Sequence, residues 1–237
     1  MRVAATYPVA DAVGAGEPAS AFDRLDTIGV IKHLAPHESL ALEGDAADRL
    51  HRVLSGTIAG YKATADGRRQ ILAFFFPGDL VGLTVSERYG YGAEAVDHAS
   101  VRSVPHARLR ELAAQTPALQ ESLLAALRRE VSAAQERLLW LGRKTARERL
   151  AGFLLECDGR TGLRDRDGRR TVPLPMSQLE IGDYLGLASE TVSRTLAELV
   201  RDGAIDIVRP FAGVVIRDVR LLERAADEGA SPAGPRD

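Results

Sequence analysis

Three polar side chains that lie close together in the sequence have the chemistry needed to read nucleic-acid bases. In residues 189–194, SETVSR, the side chains of Glu190, Ser193 and Arg194 share one face if the segment is helical. An arginine can donate two hydrogen bonds to guanine O6 and N7, and a glutamate can accept one from the amino group of cytosine. The alternative is that Glu190 and Arg194 form only an intrahelical ion pair, worth about 0.2–0.5 kcal/mol.

The residues before this segment predict a short helix and a tight turn. Ser177 is followed three residues later by Glu180, which is the spacing of a capping box at a helix start. Gly186 interrupts the apolar pattern where a sharp turn needs backbone freedom. The predicted apolar stripe of this helix consists of Leu179, Ile181 and Leu185.

A second helix is predicted to begin at Ser189, as its N-cap, and to end before Gly203 at the C′ position. Its apolar residues recur at helical spacing: Val192, Leu196, Leu199 and Val200. Two short helices in this order are typical of a helix-turn-helix, in which the second helix offers its first turns to base edges. A plain helical hairpin inside another kind of domain is the alternative.

The segment after the second helix favours the first interpretation. Residues 204–208 and 213–216 are rich in β-branched residues and are joined through a short segment containing Pro210. A hairpin directly after a recognition helix is the wing of a winged helix.

These residues also resemble a known family. Residues 174–196, LPMSQLEIGDYLGLASETVSRTL, are similar to the DNA-binding motif of the CRP/FNR superfamily of bacterial transcription regulators. The E-x-x-S-R pattern of Glu190, Ser193 and Arg194 resembles the FNR and FixK branches, whereas the cyclic-AMP branch usually has Gly at the position of Ser193. The segment LLWLGRKTARERLAGFLLE is similar to FixK-type proteins, and the whole resemblance covers residues 25–222.

The resemblance implies a homodimer that binds double-stranded DNA at a TTGAT-N4-ATCAA-like palindrome and contacts RNA polymerase. It implies that Arg194 binds guanine, Glu190 binds the opposing cytosine, and Ser193 adds selectivity near the outer bases. Ser189 replaces a bulkier residue of FixK relatives and is a further candidate base contact. Phosphate contacts are expected from hydroxyl groups and cations around the two helices: Ser177, Thr191, Arg143, Lys144, Arg201 and Arg209.

Length and composition set broad limits. A chain of 237 residues is long enough for two domains with a core each. Residues 1–141 carry 15 Lys/Arg and 17 Asp/Glu (15 − 17 = −2), whereas residues 142–224 carry 15 and 13 (15 − 13 = +2), so only the latter part is weakly basic. No apolar run reaches the roughly 20 residues of a membrane span. With one cysteine, Cys157, a disulfide framework is excluded, and a cytoplasmic location without membrane partners is expected.

The fold class expected is α+β, beginning with an N-terminal β-roll. Residues 1–24 are predicted to be a disordered arm, and residues 25–116 a jelly roll of short strands separated by glycines. Strands are predicted at residues 39–42, 50–54, 55–62 and 69–76, with a hairpin turn at 65–67. The pattern alone also fits a sugar-binding or metal-binding jelly roll, although the five histidines show no ligand spacing.

The segments LSGTIAGYK and ADGRRQILAFFFPGDLVGL resemble the effector roll of the same superfamily, but with departures. Cyclic-nucleotide binders have a Glu for the ribose directly after the glycine that corresponds to Gly82, whereas this chain has Leu83 there. They also use an Arg for the phosphate, whereas residues 92–96 contain Glu94 and no Arg. An iron–sulfur cluster needs about four thiolates, and the chain has a single cysteine, so a cluster of this kind is excluded. A regulator that is active without a cofactor is therefore expected, and the alternative is a roll that binds haem or a small metabolite. An enzyme is disfavoured, because no nucleophile elbow, paired carboxylates or P-loop is present.

A long dimerisation helix is predicted at residues 117–142, followed by a winged-helix domain at 143–224 and a disordered tail at 225–237. The hinge is placed at residues 141–146, a helix at 145–156 that ends at Cys157, and a small hairpin with a turn at Asp167-Gly168. The predicted dimer seam has apolar residues in alternating steps of three and four: Leu124, Leu127, Val131, Ala134, Leu138 and Leu141. The alternative is a helix that packs this stripe onto its own domain.

Overall fold

The chain divides into two compact units, and the boundary falls between Ala134 and Gln135 in a long helix. A computed structural model describes residues 21–63, 69–84, 86–165, 168–208 and 210–227. Each unit is described by itself.

The N-terminal unit is a β-roll followed by helices. A 3₁₀ helix, Ala21–Thr27, precedes the strands, and helix α1, His106–Ala114, and the start of helix α2, Pro117–Arg143, follow them. The strands are β1 Val30–Leu34, β2 Ser39–Ala41, β3 Arg49–Ser55, β4 Ile58–Ala63, β5 Arg69–Phe75, β6 Leu80–Val81, β7 Gly92–Ala95 and β8 Ala99–Pro105.

Two four-stranded antiparallel sheets form the roll, in the orders β1-β8-β3-β6 and β2-β7-β4-β5. Apolar side chains that alternate along the strands meet between the sheets, among them Val53, Ile58, Phe75 and Val101. The predicted β-roll is thus confirmed. The predicted hairpin turn at residues 65–67 lies outside the described residues.

The predicted boundary of the N-terminal arm is wrong for residues 21–24. These residues belong to the 3₁₀ helix, because Leu25 is fully buried and Phe22 packs against the same core cluster. An ion pair of 3.0 Å between Asp23 and Arg52 holds this helix to β3. The rest of the predicted arm lies outside the described residues.

Helix α2 carries two apolar stripes with different surroundings. Leu119, Leu123 and Ala126 pack against the roll's second core cluster, which includes Leu50 and Val104. Residues of the predicted seam are exposed instead: 48% of Leu124, 55% of Val131 and 72% of Leu138 is accessible to solvent. The alternative, in which the seam packs onto its own domain, therefore fails at these positions.

The C-terminal unit is a winged helix fused to the last turns of α2. A four-stranded antiparallel sheet in the order β11-β12-β10-β9 lies beside four helices. Its elements are α3 Ala146–Thr161, β9 Leu163–Arg164, β10 Arg170–Pro173, α4 Gln178–Leu185, α5 Ser189–Arg201, β11 Ile205–Val208, β12 Gly213–Ile216 and α6 Val219–Ala226.

Several predicted boundaries in this unit are corrected. Helix α2 runs to Arg143, so the hinge shortens to Lys144 and Thr145, and the latter caps α3 in a capping box with Glu148. Helix α3 does not end at Cys157 but continues to Thr161, because Cys157 is a buried core residue of that helix. Burial raises the pKa of its thiol well above the ordinary value, which suits an apolar packing role.

The predicted tail begins too early. Asp218 caps α6 by accepting hydrogen bonds from two backbone N–H groups, and Leu222, Ala225 and Ala226 are buried. Residues 225 and 226 therefore belong to α6 and not to a disordered tail. Residues beyond 227 lie outside the described part of the chain.

A buried histidine in the roll makes its stability depend on pH. His51 on β3 is 4% exposed, and its Nδ1 atom has no hydrogen-bond partner among the described residues. Burial, with a contribution from the charge of Arg49, lowers the pKa of His51 to about 4. The native state therefore holds this imidazole neutral at a pH where the unfolded chain already binds a proton.

We expect acid to destabilise the roll through His51. The unfolded imidazole has a pKa of about 6.5, so the stabilisation is complete above that pH and is lost as the pH falls towards 4, by about 2 kcal/mol between pH 7 and 5. Urea unfolding followed by circular dichroism at both pH values measures the loss. His51→Gln should remove most of it, whereas His33→Gln, the same change at an exposed histidine, should not. Equal losses in both variants would contradict the assignment.

Candidate nucleic-acid interface

The first helix of the helix-turn-helix begins as predicted. The Ser177 hydroxyl accepts a hydrogen bond from the Glu180 backbone N–H at 3.2 Å, and the Glu180 carboxylate accepts one from the Ser177 N–H at 2.8 Å. This reciprocal capping box satisfies two backbone donors that a helix start leaves without partners.

The predicted apolar stripe of α4 is wrong at Leu179. That side chain is 61% exposed, whereas Ile181, Tyr184 and Leu185 are buried. Residues two apart on a helix point about 200° away from each other, so Leu179 and Ile181 cannot share a face. The buried stripe includes Tyr184, which the sequence interpretation missed and which packs on Phe153 of α3 with ring centroids 5.4 Å apart.

The turn between the two helices is closed by backbone hydrogen bonds. Gly186 has a φ of 65°, the left-handed conformation that glycine adopts without strain. The Leu187 N–H donates to the Gly182 carbonyl at 2.9 Å. Ala188, not Ser189, is the N-cap of α5 and makes no side-chain cap. The capping prediction for Ser189 is therefore wrong, because this residue already has helical geometry as the first residue of α5.

Helix α5 separates a buried face from an exposed one. Val192, Leu196 and Leu199 are almost fully buried, and Thr195 is buried beside them. Glu190, Ser193 and Arg194 are exposed together on the opposite face, near the start of the helix, and Ser189 is half-buried next to them. Both partners of the suspected intrahelical pair are described, and no ion pair of 4.0 Å or less joins Glu190 and Arg194.

The predicted phosphate contacts differ in their surroundings. Arg143 and Arg201 are exposed, and Thr191 is half-buried in the first turn of α5. The Ser177 hydroxyl lies 2.8 Å from the Glu180 carboxylate as well as capping α4, so it is already engaged. Arg209 lies outside the described residues.

Lys144 has partners within its own unit. Its ammonium group donates to the Ala226 carbonyl at 2.9 Å and lies 3.7 Å from the Asp227 carboxylate. A cation at the C-terminal end of α6 also interacts favourably with the helix dipole. To contact a phosphate, Lys144 would have to give up these bonds.

The wing follows α5 as predicted. Strands β11 and β12 pair antiparallel, with Ile205 opposite Ile216 and Val208 opposite Gly213. Arg217 and Asp206 form an ion pair across the hairpin. A helix-turn-helix followed by a paired hairpin is the architecture of a winged helix.

A winged helix-turn-helix with a polar face exposed at the start of its second helix defines a class of transcription regulators. Comparison with known proteins agrees: residues 31–116 match the family described as cyclic nucleotide-binding domain, and residues 148–225 match the Crp-like helix-turn-helix domain. The nitrogen fixation regulation protein FixK of Bradyrhizobium diazoefficiens is 37% identical over 194 residues, which cover 82% of this chain and 81% of that protein. FixK of Azorhizobium caulinodans is 38% identical over 216 residues, which cover 91% of this chain and 87% of the relative.

A solved structure gives the same result. The structure of FixK2 from Bradyrhizobium japonicum aligns with a TM-score of 0.78 at 36% sequence identity, covering 84% of this chain and 97% of that one. The chain therefore belongs to the CRP/FNR family of transcription regulators and is FixK-like. None of the described helices combines the length and apolar character needed to cross a bilayer.

The corrected stripe of α4 predicts a contrast between two neighbouring positions. Ile181→Ala should lower the free energy of unfolding of the C-terminal unit by about 2–5 kcal/mol, because it leaves a cavity in a packed core. Leu179→Ala at the exposed position should change it by less than about 0.5 kcal/mol. Urea unfolding of both variants measures the difference. Comparable losses would show that Leu179 is also packed.

Proposed function

We propose that this protein is a homodimeric, cytoplasmic, sequence-specific DNA-binding regulator of transcription that reads a TTGAT-N4-ATCAA-like palindrome. The exposed face of α5 is the observation that carries the proposal. In this interpretation α5 enters the major groove, Arg194 donates to guanine O6 and N7, and Glu190 accepts from the cytosine amine. Ser193 and Ser189 line the same face and contribute to selectivity.

Backbone contacts would fix the register of α5 on the duplex. Arg143 and Arg201 are exposed cations, Thr191 lies in the first turn of α5, and Ser177 caps the N-terminus of α4, where backbone N–H groups favour an anion. Arg209 and Lys144 are the remaining candidates. Lys144 would contribute only if its ammonium group broke its bonds to Ala226 and Asp227. Such contacts add affinity without sequence information.

The exposed seam of α2 supports the proposed dimer. The side chains of Leu124, Val131 and Leu138 are exposed in the single chain, and a second copy of the helix would cover them. The seam also includes Leu127, Ala134 and Leu141. Two recognition helices related by a two-fold axis match half-sites separated by about 34 Å, one turn of the duplex. Bound in this way, the dimer would recruit RNA polymerase through a direct contact.

Activity without a cofactor is supported by contacts that the roll's own side chains make with one another. The Arg69 guanidinium lies 3.8 Å from the centre of the Tyr61 ring and 2.7 Å from the carboxylate of buried Glu94. An added Cβ at Gly60 would lie 3.1 Å from the ring of Tyr91. Buried Glu94 thus has its cationic partner within the roll.

The second candidate is a ligand-switched regulator, in which haem or a small metabolite in the roll controls DNA affinity. The match of residues 31–116 to a cyclic nucleotide-binding domain favours it. A visible absorption band in the purified protein would support haem. Selective DNA binding by untreated, colourless protein would support the first candidate.

Arg194→Ala tests the base assignment. Wild-type protein, without additives, should bind the TTGAT-N4-ATCAA duplex selectively over a scrambled one in a gel-shift titration at fixed salt. The variant should lose about 1–3 kcal/mol of discrimination at the guanine. Arg201→Ala is the control, because loss of a phosphate contact should weaken both duplexes alike. A variant that retained full discrimination would show that Arg194 does not read the guanine.

Leu138→Glu tests the seam. The charge would be buried against the partner helix, so the dimer constant should weaken at least about tenfold, which corresponds to 1.4 kcal/mol. Leu139→Glu is the matched control, because this leucine is also exposed, at 64%, but lies outside the seam. Sedimentation equilibrium compares the two. Equal dimer constants for wild type and Leu138→Glu would place the interface elsewhere.

A further inference from the structure

The last turns of α2 lie against the end of α4, and the contacts involve Tyr184, Leu185 and Gly186. Arg149 of α3 lies at the centre of this junction. Its guanidinium donates three hydrogen bonds to carbonyl groups, with lengths of 2.9 to 3.0 Å. The acceptors are Leu141 at the end of α2, Lys144 in the hinge and Leu185 at the end of α4. The rigid fork of an arginine can join three carbonyls in this way, whereas an ammonium group cannot reproduce its geometry.

Two further contacts join the same elements. The Arg137 guanidinium of α2 lies 3.6 Å from the centre of the Tyr184 ring and also donates to the Tyr184 hydroxyl. The Tyr184 hydroxyl in turn donates to the Glu156 carboxylate at 3.5 Å. Burial raises the pKa of Tyr184, so its hydroxyl keeps the proton that this bond requires. Next to it, an added Cβ at Gly186 would lie only 3.1 Å from the Leu141 side chain.

Tyr184, Leu185 and Gly186 lie directly before the turn that leads into α5. The Leu187 N–H bonds back to the Gly182 carbonyl at 2.9 Å, and the N–H groups of Thr191 and Val192 bond to the Ala188 carbonyl. The turn is therefore continuous with α4 on one side and α5 on the other. Whatever fixes the end of α4 against α2 also fixes the start of α5.

We propose that Arg149 is a positioning residue that sets the direction of α5 relative to α2, and thereby the half-site spacing that the dimer accepts. This inference rests on the proposed palindrome and dimer. Arg149 touches no DNA in this role and acts only through α4. A merely stabilising arginine would support folding, but it would not select one spacing over another.

Binding to palindromes of different spacing separates the two roles. We would titrate full-length Arg149→Lys on TTGAT-ATCAA duplexes with spacers of three, four and five bases. Loss of about two charge-assisted hydrogen bonds should lower affinity for the four-base spacer about tenfold. Affinity for the other two duplexes should fall much less, so the preference for four bases shrinks. An equal fold-loss on all three duplexes, or no loss, would overturn the proposal.

Matched variants accompany this measurement. Arg170→Lys alters an arginine in the same unit that pairs with Asp158 rather than with α2, and it should retain the wild-type spacing preference. Arg137→Met removes the stacking contact on Tyr184 and should shift the preference in the same direction as Arg149→Lys. This second variant keeps the test decisive if Arg149→Lys fails to fold.

A distance measurement tests the junction without DNA. Nitroxide labels at Gln135→Cys on α2 and Ala197→Cys on α5, both exposed positions, would be placed in a Cys157→Ser background. Labelled chains diluted with unlabelled protein report the distance within one chain by pulsed electron paramagnetic resonance. Arg149→Lys should broaden a narrow wild-type distribution, and an unchanged distribution would overturn the inference. If wild type shows no selectivity for the palindrome, the proposed function fails while this measurement still decides the role of Arg149.

Discussion

The close crossing of α4 and α5 at Gly182 is the constraint on which the exposed face of α5 depends. An added Cβ at Gly182 would lie 2.5 Å from the Leu187 carbonyl oxygen, which is closer than real Cβ atoms come to other heavy atoms. The missing side chain lets the turn fold back on α4, and the Leu187 N–H then bonds to the Gly182 carbonyl. With the two helices this close, Val192 and Leu196 reach the shared core. Helical periodicity leaves Glu190, Ser193 and Arg194 outside.

A second constraint acts on α2, because this helix carries apolar side chains on two different faces. Leu119, Leu123 and Ala126 follow helical spacing and pack on the roll, while Leu124 and Val131 lie on another face. Apolar side chains on both faces cost solubility unless the second face is covered. Near the end of the same helix, the Leu141 carbonyl accepts a hydrogen bond from Arg149. One element thus carries a core, a proposed dimer seam and a proposed orienting contact.

Features of the fold that depend on residues close together in sequence could be predicted. Features that depend on contacts between distant residues could not. Ser177 with Glu180 located the start of α4, because a capping box depends only on residues three apart. Ser189 failed as an N-cap, since the closing of the turn at Gly186 put Ala188 in that position. Helix α6 was missed because its few apolar residues precede a tail rich in Ala, Gly and Pro, and its burial depends on α3. The role of Arg149 carries no local signal, because it depends on the Leu185 carbonyl, which lies 36 residues away in sequence.

The chain has a net charge of −2, and its C-terminal unit offers few candidate cations to a DNA backbone. The cations that would meet phosphate are few, and several arginines of the C-terminal unit are already paired with carboxylates, as Arg147 is with Asp202 at 2.6 Å and Arg217 is with Asp206. Counterion release by such a surface would be modest, so nonspecific affinity should be low. Selectivity then depends on geometry, meaning how accurately two copies of α5 match two half-sites at once. A regulator built this way would depend more on the orientation of α5, and hence on the Arg149 junction, than one with a broadly basic surface.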